Sequence, residues 1–344
     1  MKTDIKSLLL NELKEYFESI GDKTYRAEQV FSWLHNGVTA FSEMTNISVK
    51  LREKLDNDFT ISIPALIEKQ TSKSDGSVKY LWQMKENDAV ESVLMGYVHG
   101  YTICISTQVG CRMGCAFCAS AIGGLERNLL ASEMLDQVLY SQNDSGKRIS
   151  NVVLMGIGEP LDNFENTMRF LEIISHPSGI NIGARHITLS TCGVVENIDR
   201  LAQYDVQSTL AISLHAPDDE TRNRLIPYNQ NVGVKKLIDA GSRYFSKTGR
   251  RITYEYAMIN EVNDSPNQAA LLAQLLRGTE SHLNLIQLSK IHERDLTASA
   301  PDRVERFTGI LRKNGVNFTI RRSLGADIEA SCGQLRRRRY NKSL

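Results

Sequence analysis

Residues 102–118 read TICISTQVGCRMGCAFC. Thr102 to Ser106 form a short extended run. Cys111, Cys115 and Cys118 follow it directly in a C-x3-C-x2-C spacing. A strand that empties into chemistry-bearing residues is the arrangement of parallel α/β folds, whose sites gather at the carboxyl ends of the strands. The chain downstream fits that scheme. Further strands are expected at 151–155, 187–191, 208–214, 252–257, 284–288 and 316–321, with helical stretches between them. Two of those helices have readable starts. Ser265-Pro266 places a cap before a proline at the first helical position, with Ala269, Leu272 and Leu275 on one face. Pro301 opens another, with Val304, Phe307 and Leu311 apolar. Strand–helix repeats of this spacing form right-handed βαβ units on a parallel sheet. Six or seven units are too few for a closed eightfold barrel. A partial, open barrel or a doubly wound sheet is therefore expected.

Upstream, residues 1–58 read as a small helical domain. Leu9, Leu13, Tyr16, Phe17 and Ile20 recur at helical spacing; Tyr25, Val30, Phe31 and Leu34 form a second helix that stops near Gly37. Leu51 and Leu55 mark a third, after the cap Ser48. Residues 59–100 change to a period of two. Val78, Tyr80, Trp82 and Met84 alternate after the turn Asp75-Gly76, and Val90 to Val93 form the next extended run. This is a short antiparallel β unit. The barrel then occupies 101–335, and 336–344 is a basic tail.

The 344 residues are 41% hydrophobic and 24% charged, with a net charge of +1. These are values of a folded globular chain, and they exclude a disordered polyelectrolyte and a uniformly basic nucleic-acid coat. No run approaches 18 apolar residues, and the block Leu8–Leu10 is too short for a signal sequence, so a cytoplasmic protein without membrane contact is expected. Four of the six cysteines lie between 104 and 118, a pattern of metal or redox chemistry rather than of a disulfide scaffold.

Thiolates select zinc or iron–sulfur centres. A structural zinc site takes four ligands, and no fourth stands near Cys118. Three cysteines fit a 4Fe–4S cluster with one iron open to a further ligand. Other polar groups fall at strand ends. Met155-Gly156-Ile157-Gly158-Glu159-Pro160 follows the second barrel strand; its glycines allow close backbone approach, and Glu159 can accept from an ammonium. Ser190 ends the third strand, and Ser213-Leu214-His215 the fourth. Serine and histidine there also suit plain helix capping. Cys104 and Cys332 on their own read as small buried hydrophobes.

The cysteine spacing, with Phe117 before the last cysteine, resembles the radical S-adenosylmethionine (SAM) superfamily. That resemblance implies a partial (β/α)6 barrel, a 4Fe–4S cluster on Cys111, Cys115 and Cys118, and SAM bound by Gly158, Glu159, Ser190, Ser213, Leu214 and His215. A sharper resemblance comes from ADIEASCGQL at 326–335, VESVLM at 90–95, VVLMGIGEPLDN at 152–163, ARHITLSTCGVV at 184–195 and LAISLHAPDDETRNRLIPYN at 210–229. These are similar to the RlmN/Cfr family of radical SAM RNA methyltransferases, and FSEMTNISVKLREKL at 41–55 is similar to its RlmN branch.

The family implies two SAM per turnover. Cys332 takes a methyl group from the first. The second, reductively cleaved, gives a 5′-deoxyadenosyl radical that removes hydrogen from that methyl. The carbon radical adds to adenine C2, and Cys104 resolves the protein–RNA adduct through a transient disulfide. Glu91 is the implied base, with Cys104 able to share the role. The implied substrates are an adenosine at the peptidyl-transferase centre of 23S rRNA and the adenosine beside the anticodon of some tRNAs. A one-electron donor such as flavodoxin or ferredoxin, and a monomeric enzyme, complete the expectation. C8 methylation of the same rRNA adenosine is the near alternative, and a zinc-stabilised RNA-binding protein is the non-enzyme one. Two positions depart from the family pattern. Ser289 stands where an Asn touches SAM, and Cys192 replaces a Ser and reads as structural. The tail, with Arg336 to Arg339 and Lys342, and the pairs Arg321-Arg322 and Arg250-Arg251, are expected to meet RNA phosphates.

Overall fold

The computed structural model describes residues 2–85, 88–204, 208–289, 294–322, 324–328 and 336. Cys332 and the tail beyond Arg336 lie outside these residues. Three helices, α1 (Leu10–Ser19), α2 (Tyr25–His35) and α3 (Val49–Asp58), build the N-terminal domain. Leu13, Phe17, Val30, Phe31, Leu34 and Leu55 are its buried positions, the spacing that amphipathic helices require. Ser48 caps α3 by accepting the amide of Leu51. The buried pair Lys6–Asp136 and the pair Arg169–Glu12 fasten this domain to the barrel helices.

Ten strands form one sheet: β1 (Ala65–Thr71), β2 (Val78–Gln83), β3 (Ala89–Tyr97), β4 (Gly100–Cys104), β5 (Ile149–Leu154), β6 (Ile187–Thr191), β7 (Thr209–Ser213), β8 (Ile252–Met258), β9 (Ser281–Gln287) and β10 (Phe318–Ile320). They lie in strictly sequential order. From β4 to β10 every pairing is parallel, and from β1 to β4 every pairing is antiparallel. The parallel strands are joined by α4 (Ala131–Ser145), α5 (Phe164–Ser175), α6 (Val195–Leu201), α7 (Asp219–Leu225) with α8 (Val234–Thr248), α9 (Pro266–Leu276) and α10 (Pro301–Lys313). Six crossovers on a sheet with two free edges make a partial barrel. Ser265 and Gln268 close a reciprocal capping box at α9. Among the described residues no helix is long and apolar enough to cross a membrane.

The antiparallel unit expected over 59–100 is hydrogen-bonded in series onto β4, so it prolongs the barrel sheet. Its first strand, β1, has no readable alternation because it is a mostly exposed edge.

Residues of one parity on the parallel strands, among them Ile103, Val152, Leu189, Leu210 and Tyr254, are buried. Those of the other parity are largely polar: Thr102, Thr188, Ser190, Thr209, Ser213, Thr253, Glu255 and Asn284 border the interior cavities. A packed barrel core would carry branched apolar residues there. This polar lumen is built to hold something.

Candidate active site

The cysteine loop is clamped at its base. Gln108–Gly110 pairs antiparallel with Leu125–Asn128, and the Cys111 amide donates to the Gly124 carbonyl at 2.9 Å. Gly110 has φ +78°, and a Cβ there would sit 2.0 Å from the Gly124 oxygen, so no other residue fits. Within the loop, the Ala116 amide reaches the Leu225 carbonyl at 2.8 Å. Cys111, Cys115 and Cys118 thereby line one cavity of about 240 Å³, together with Glu159, Ser190, Ser213 and His215. Desolvation pushes the Cys111 thiol up to about 12, and Cys115 well above the ordinary thiol range. Among the described residues, no three His, Cys, Asp or Glu side chains are arranged to enclose a single metal ion. Three thiols at the rim of a cavity, in an apolar setting of Met113, Phe117 and Leu225, fit a multi-atom cluster better than a mononuclear zinc.

Glu159 is buried. One carboxylate oxygen accepts from Leu161 N at 3.0 Å and the other from Cys192 N at 2.8 Å. Burial raises its pKa to about 6, against those hydrogen bonds. Gly158 also lines the cavity, but packing is its tightest constraint. A Cβ there would come within 2.8 Å of the Gln108 amide nitrogen. The glycine thus lets the loop after β5 lie against the chain after β4. Neither Ser190 nor Ser213 stands at the N-cap of the helix that follows, where Val194 and Asp218 sit; both serines face the cavity. Cys192, read as structural, lines the same cavity. Leu214 instead packs into the core. Ser289 is exposed and does not border the cavity; Ile286 is the β9 residue that does.

His215 sits at φ +56° with its ring edge-to-face on Phe117. Its Nδ1 accepts the Ala257 amide at 2.9 Å, so the neutral ring carries its proton on Nε2 and is a donor there. Burial, then the Arg222 charge, lowers its pKa to about 3. The unfolded chain takes up a proton near pH 6.5 that the folded chain refuses, so this group's stabilisation is complete above 6.5 and is lost as pH falls. At pH 4.5 the cost relative to pH 7 is about 2–3 kcal/mol. Urea unfolding at the two pH values will show a drop for wild type that is smaller by that amount in His215→Gln.

Sequence reading missed Arg222. It is fully buried, donating from Nε to the Leu214 carbonyl at 3.0 Å, from Nη2 to the Ser213 carbonyl at 3.0 Å, and also to the Cys192 carbonyl and Asn229. One guanidinium thus ties the carboxyl end of β7 to the turn after β6. The signal was an arginine in a run of acids, Asp218-Asp219-Glu220, which looks like a solvated helix face.

Cys104, buried on β4, lines a second cavity of about 400 Å³ that shares Met155, Glu255 and Ile286 with the first. Glu91 is on the same face of β3 as the cavity residues Val93 and Met95, but it borders neither cavity. Its Oε2 meets Lys79 Nζ at 2.8 Å, and its Oε1 accepts the Arg336 amide at 2.5 Å. Arg336, expected among the residues that meet RNA phosphates, is instead buried, with its guanidinium on Glu126. Before Cys332, Asp327 accepts from Ser72 Oγ at 2.7 Å and Lys73 N at 2.9 Å. Both flanks of Cys332 are thus fastened to the antiparallel strands or their turn.

Residues 3–61 match the model of the ribosomal RNA large subunit methyltransferase N-terminal domain, and 105–273 that of the radical SAM superfamily. The chain is 49% identical over 337 residues to a protein of Alkaliphilus metalliredigens (strain QYMF) named "Probable dual-specificity RNA methyltransferase RlmN", covering 98% of this chain and 96% of that one. A protein of the same name from Clostridium tetani (strain Massachusetts / E88) is 48% identical, over 97% and 96% of the two chains. The crystal structure of a radical SAM methyltransferase from Sphaerobacter thermophilus superposes with a TM-score of 0.91 at 40% identity, over 96% and 98%. The superfamily implies a 4Fe–4S cluster and SAM, and the cavity supplies both a thiol rim and polar walls for them. On the cysteine loop, the partial barrel and this likeness along nearly its whole length, the chain belongs to the RlmN family of radical SAM RNA methyltransferases.

Proposed function

We propose that the enzyme methylates C2 of an adenosine in 23S rRNA, at the peptidyl-transferase centre, and of the anticodon-adjacent adenosine in tRNA, through methylated Cys332 and with two SAM per turnover. One observation carries most of the weight. The cavity rimmed by Cys111, Cys115 and Cys118 shares a wall with the cavity lined by Cys104.

Bound at the three cysteines, a 4Fe–4S cluster supplies the one-electron cleavage of SAM. Glu159 accepts from the SAM ammonium, and Ser190, Ser213 and the Nε2 proton of His215 bond its polar groups. Cys332 acts first as a nucleophile: its thiolate takes the methyl of one SAM and releases S-adenosylhomocysteine. Ordinary displacement cannot methylate C2, an electron-poor carbon with no lone pair, so the methyl must reach the ring as a carbon radical. The addition leaves a radical that still carries the C2 hydrogen; loss of one electron to a one-electron carrier of the flavodoxin or ferredoxin type, and of the C2 proton to a base, gives an adduct that holds Cys332 sulfur, a methylene and C2 in series. The Cys104 thiolate attacks the Cys332 sulfur, and the sulfur–carbon bond breaks with its electron pair left on carbon. That carbon takes a proton and becomes the methyl group. The two sulfurs remain as a disulfide that a cellular dithiol reduces. Cys104, on the wall of the second cavity, takes the C2 proton as well in this reading. Glu91 borders neither cavity, and its contacts with Lys79 and the Arg336 amide suit holding the Cys332 segment.

The test uses protein reconstituted anaerobically with its cluster, a reductant, methyl-labelled SAM and a 23S rRNA fragment. Label in 2-methyladenosine is expected. Label in 8-methyladenosine would assign C8 chemistry, and SAM cleavage with no label in RNA would overturn the reading.

A further inference from the structure

The second cavity holds more than Cys104. Its volume, about 400 Å³, falls in the range of pockets that enclose small ligands, roughly 300–1,000 Å³. Thr102, Thr188, Thr209 and Thr253 give it hydroxyls from four parallel strands. Arg321 and Arg322, both exposed, border it from just beyond β10. At the wall shared with the cluster cavity, Asn284 Nδ2 donates to Glu255 Oε1 at 2.8 Å, and both side chains are buried.

The strand register places Glu255 level with Ser213 on one side and Asn284 on the other. The pair therefore stands where the two cavities meet. A carboxylate can only accept, so Glu255 fixes which end of the Asn284 amide is nitrogen. Asn284 is left with one N–H and its carbonyl oxygen, a donor and an acceptor on the same amide. Adenine presents the complement along its edge, a ring nitrogen beside an exocyclic N–H, and Asn is the side chain that pairs with it in two places. Two exposed arginines at the same cavity suit phosphates of the chain that brings the base. A base drawn out of its stack would lie between Cys104 and the cluster cavity.

We infer that this cavity receives the target adenosine, with Asn284 reading the adenine edge, Glu255 orienting Asn284, and Arg321 and Arg322 holding the flanking phosphates. The inference rests on the RNA methyltransferase reading above and assigns the residues that select the base.

The probe is a fluorescein-labelled RNA stem-loop with one unpaired adenosine, beside the same RNA with purine riboside, which lacks the exocyclic amine. Both are titrated into the reconstituted enzyme and followed by anisotropy. Wild type should prefer adenosine by about ten-fold or more, and Asn284→Ala should bring the two affinities together. The double change Arg321→Ala, Arg322→Ala alters only exposed side chains. It should weaken both RNAs about equally and reduce the salt slope by about one to two. Cluster absorbance and melting temperature report folding of each variant; if Asn284→Ala does not fold, the arginine variant decides. Undiminished discrimination in a folded Asn284→Ala, or an unchanged affinity and salt slope in the arginine variant, overturns the assignment while the methyltransferase reading stands. A wild type that neither binds nor methylates RNA overturns both.

Discussion

Cys104→Ala starts turnovers and does not finish them. On the proposed mechanism the variant should keep its cluster, methylate Cys332 and cleave SAM, yet free methylated RNA should fall by roughly 10²-fold or more. In its place a covalent protein–RNA species accumulates, up to one per enzyme. The reason is the position of this thiol. Cys104 is the cysteine of the second cavity, separated from the cluster cysteines by a shared wall. A structural cysteine changed to alanine would lose a small buried contact and little activity. In the proposed mechanism a resolving cysteine is the route by which the sulfur–carbon bond of the adduct breaks. A denaturing gel of labelled RNA shows the shifted band, and Cys332→Ala in the same chain must abolish it. Free product at the wild-type rate from Cys104→Ala would sink the resolving role.

Arg222→Ala should cost the cluster-free protein about 4 kcal/mol or more. Three buried carbonyls, on Cys192, Ser213 and Leu214, lose their donor, and each orphaned group costs about 1–3 kcal/mol. Burial draws the guanidinium down to about 10, so it remains a cation at neutral pH, and the carbonyl dipoles stabilise that charge. A loss of this size is a large share of the 5–15 kcal/mol that holds a typical fold. Arg222→Lys keeps the charge but not the planar fork, so it recovers less than half. Differential scanning calorimetry of the three proteins measures this directly. The bound-SAM geometry would suffer too, because the same side chain sets the strand ends that carry Ser213 and His215. A melting temperature for Arg222→Ala within a degree or two of wild type would show that these hydrogen bonds contribute little.

The parallel strands could be read from the chain because each is a short extended segment of β-branched and apolar residues followed by its own turn and helix-start signals. Ser48 and Ser265 cap the helices they were expected to cap, since capping depends on residues three apart. The cluster ligands were legible for the same reason: eight residues of sequence, Cys111 to Cys118, hold all three. Edge strand β1 was not legible, because an exposed edge has no buried face to impose a period. Nor was the ribbon 108–110 with 125–128, which is too short to show one.

Other outcomes depended on groups far apart in the chain. Ser289 was expected at the SAM site, but β9 ends at Gln287 and leaves Ser289 exposed. Arg222, on which the sequence analysis says nothing, is buried where the ends of two strands close over it. Lys79 and Glu91 lie twelve residues apart on neighbouring strands, and only the antiparallel pairing makes them a buried pair. By itself the sequence determined the elements, their order and the cysteine chemistry, because periodicity, caps and ligand spacing act over a few residues. Only the tertiary structure decided which face of each strand borders the lumen, which charges meet inside it, and that two cavities share one wall. Those are properties of chain crossings, and no local pattern encodes them.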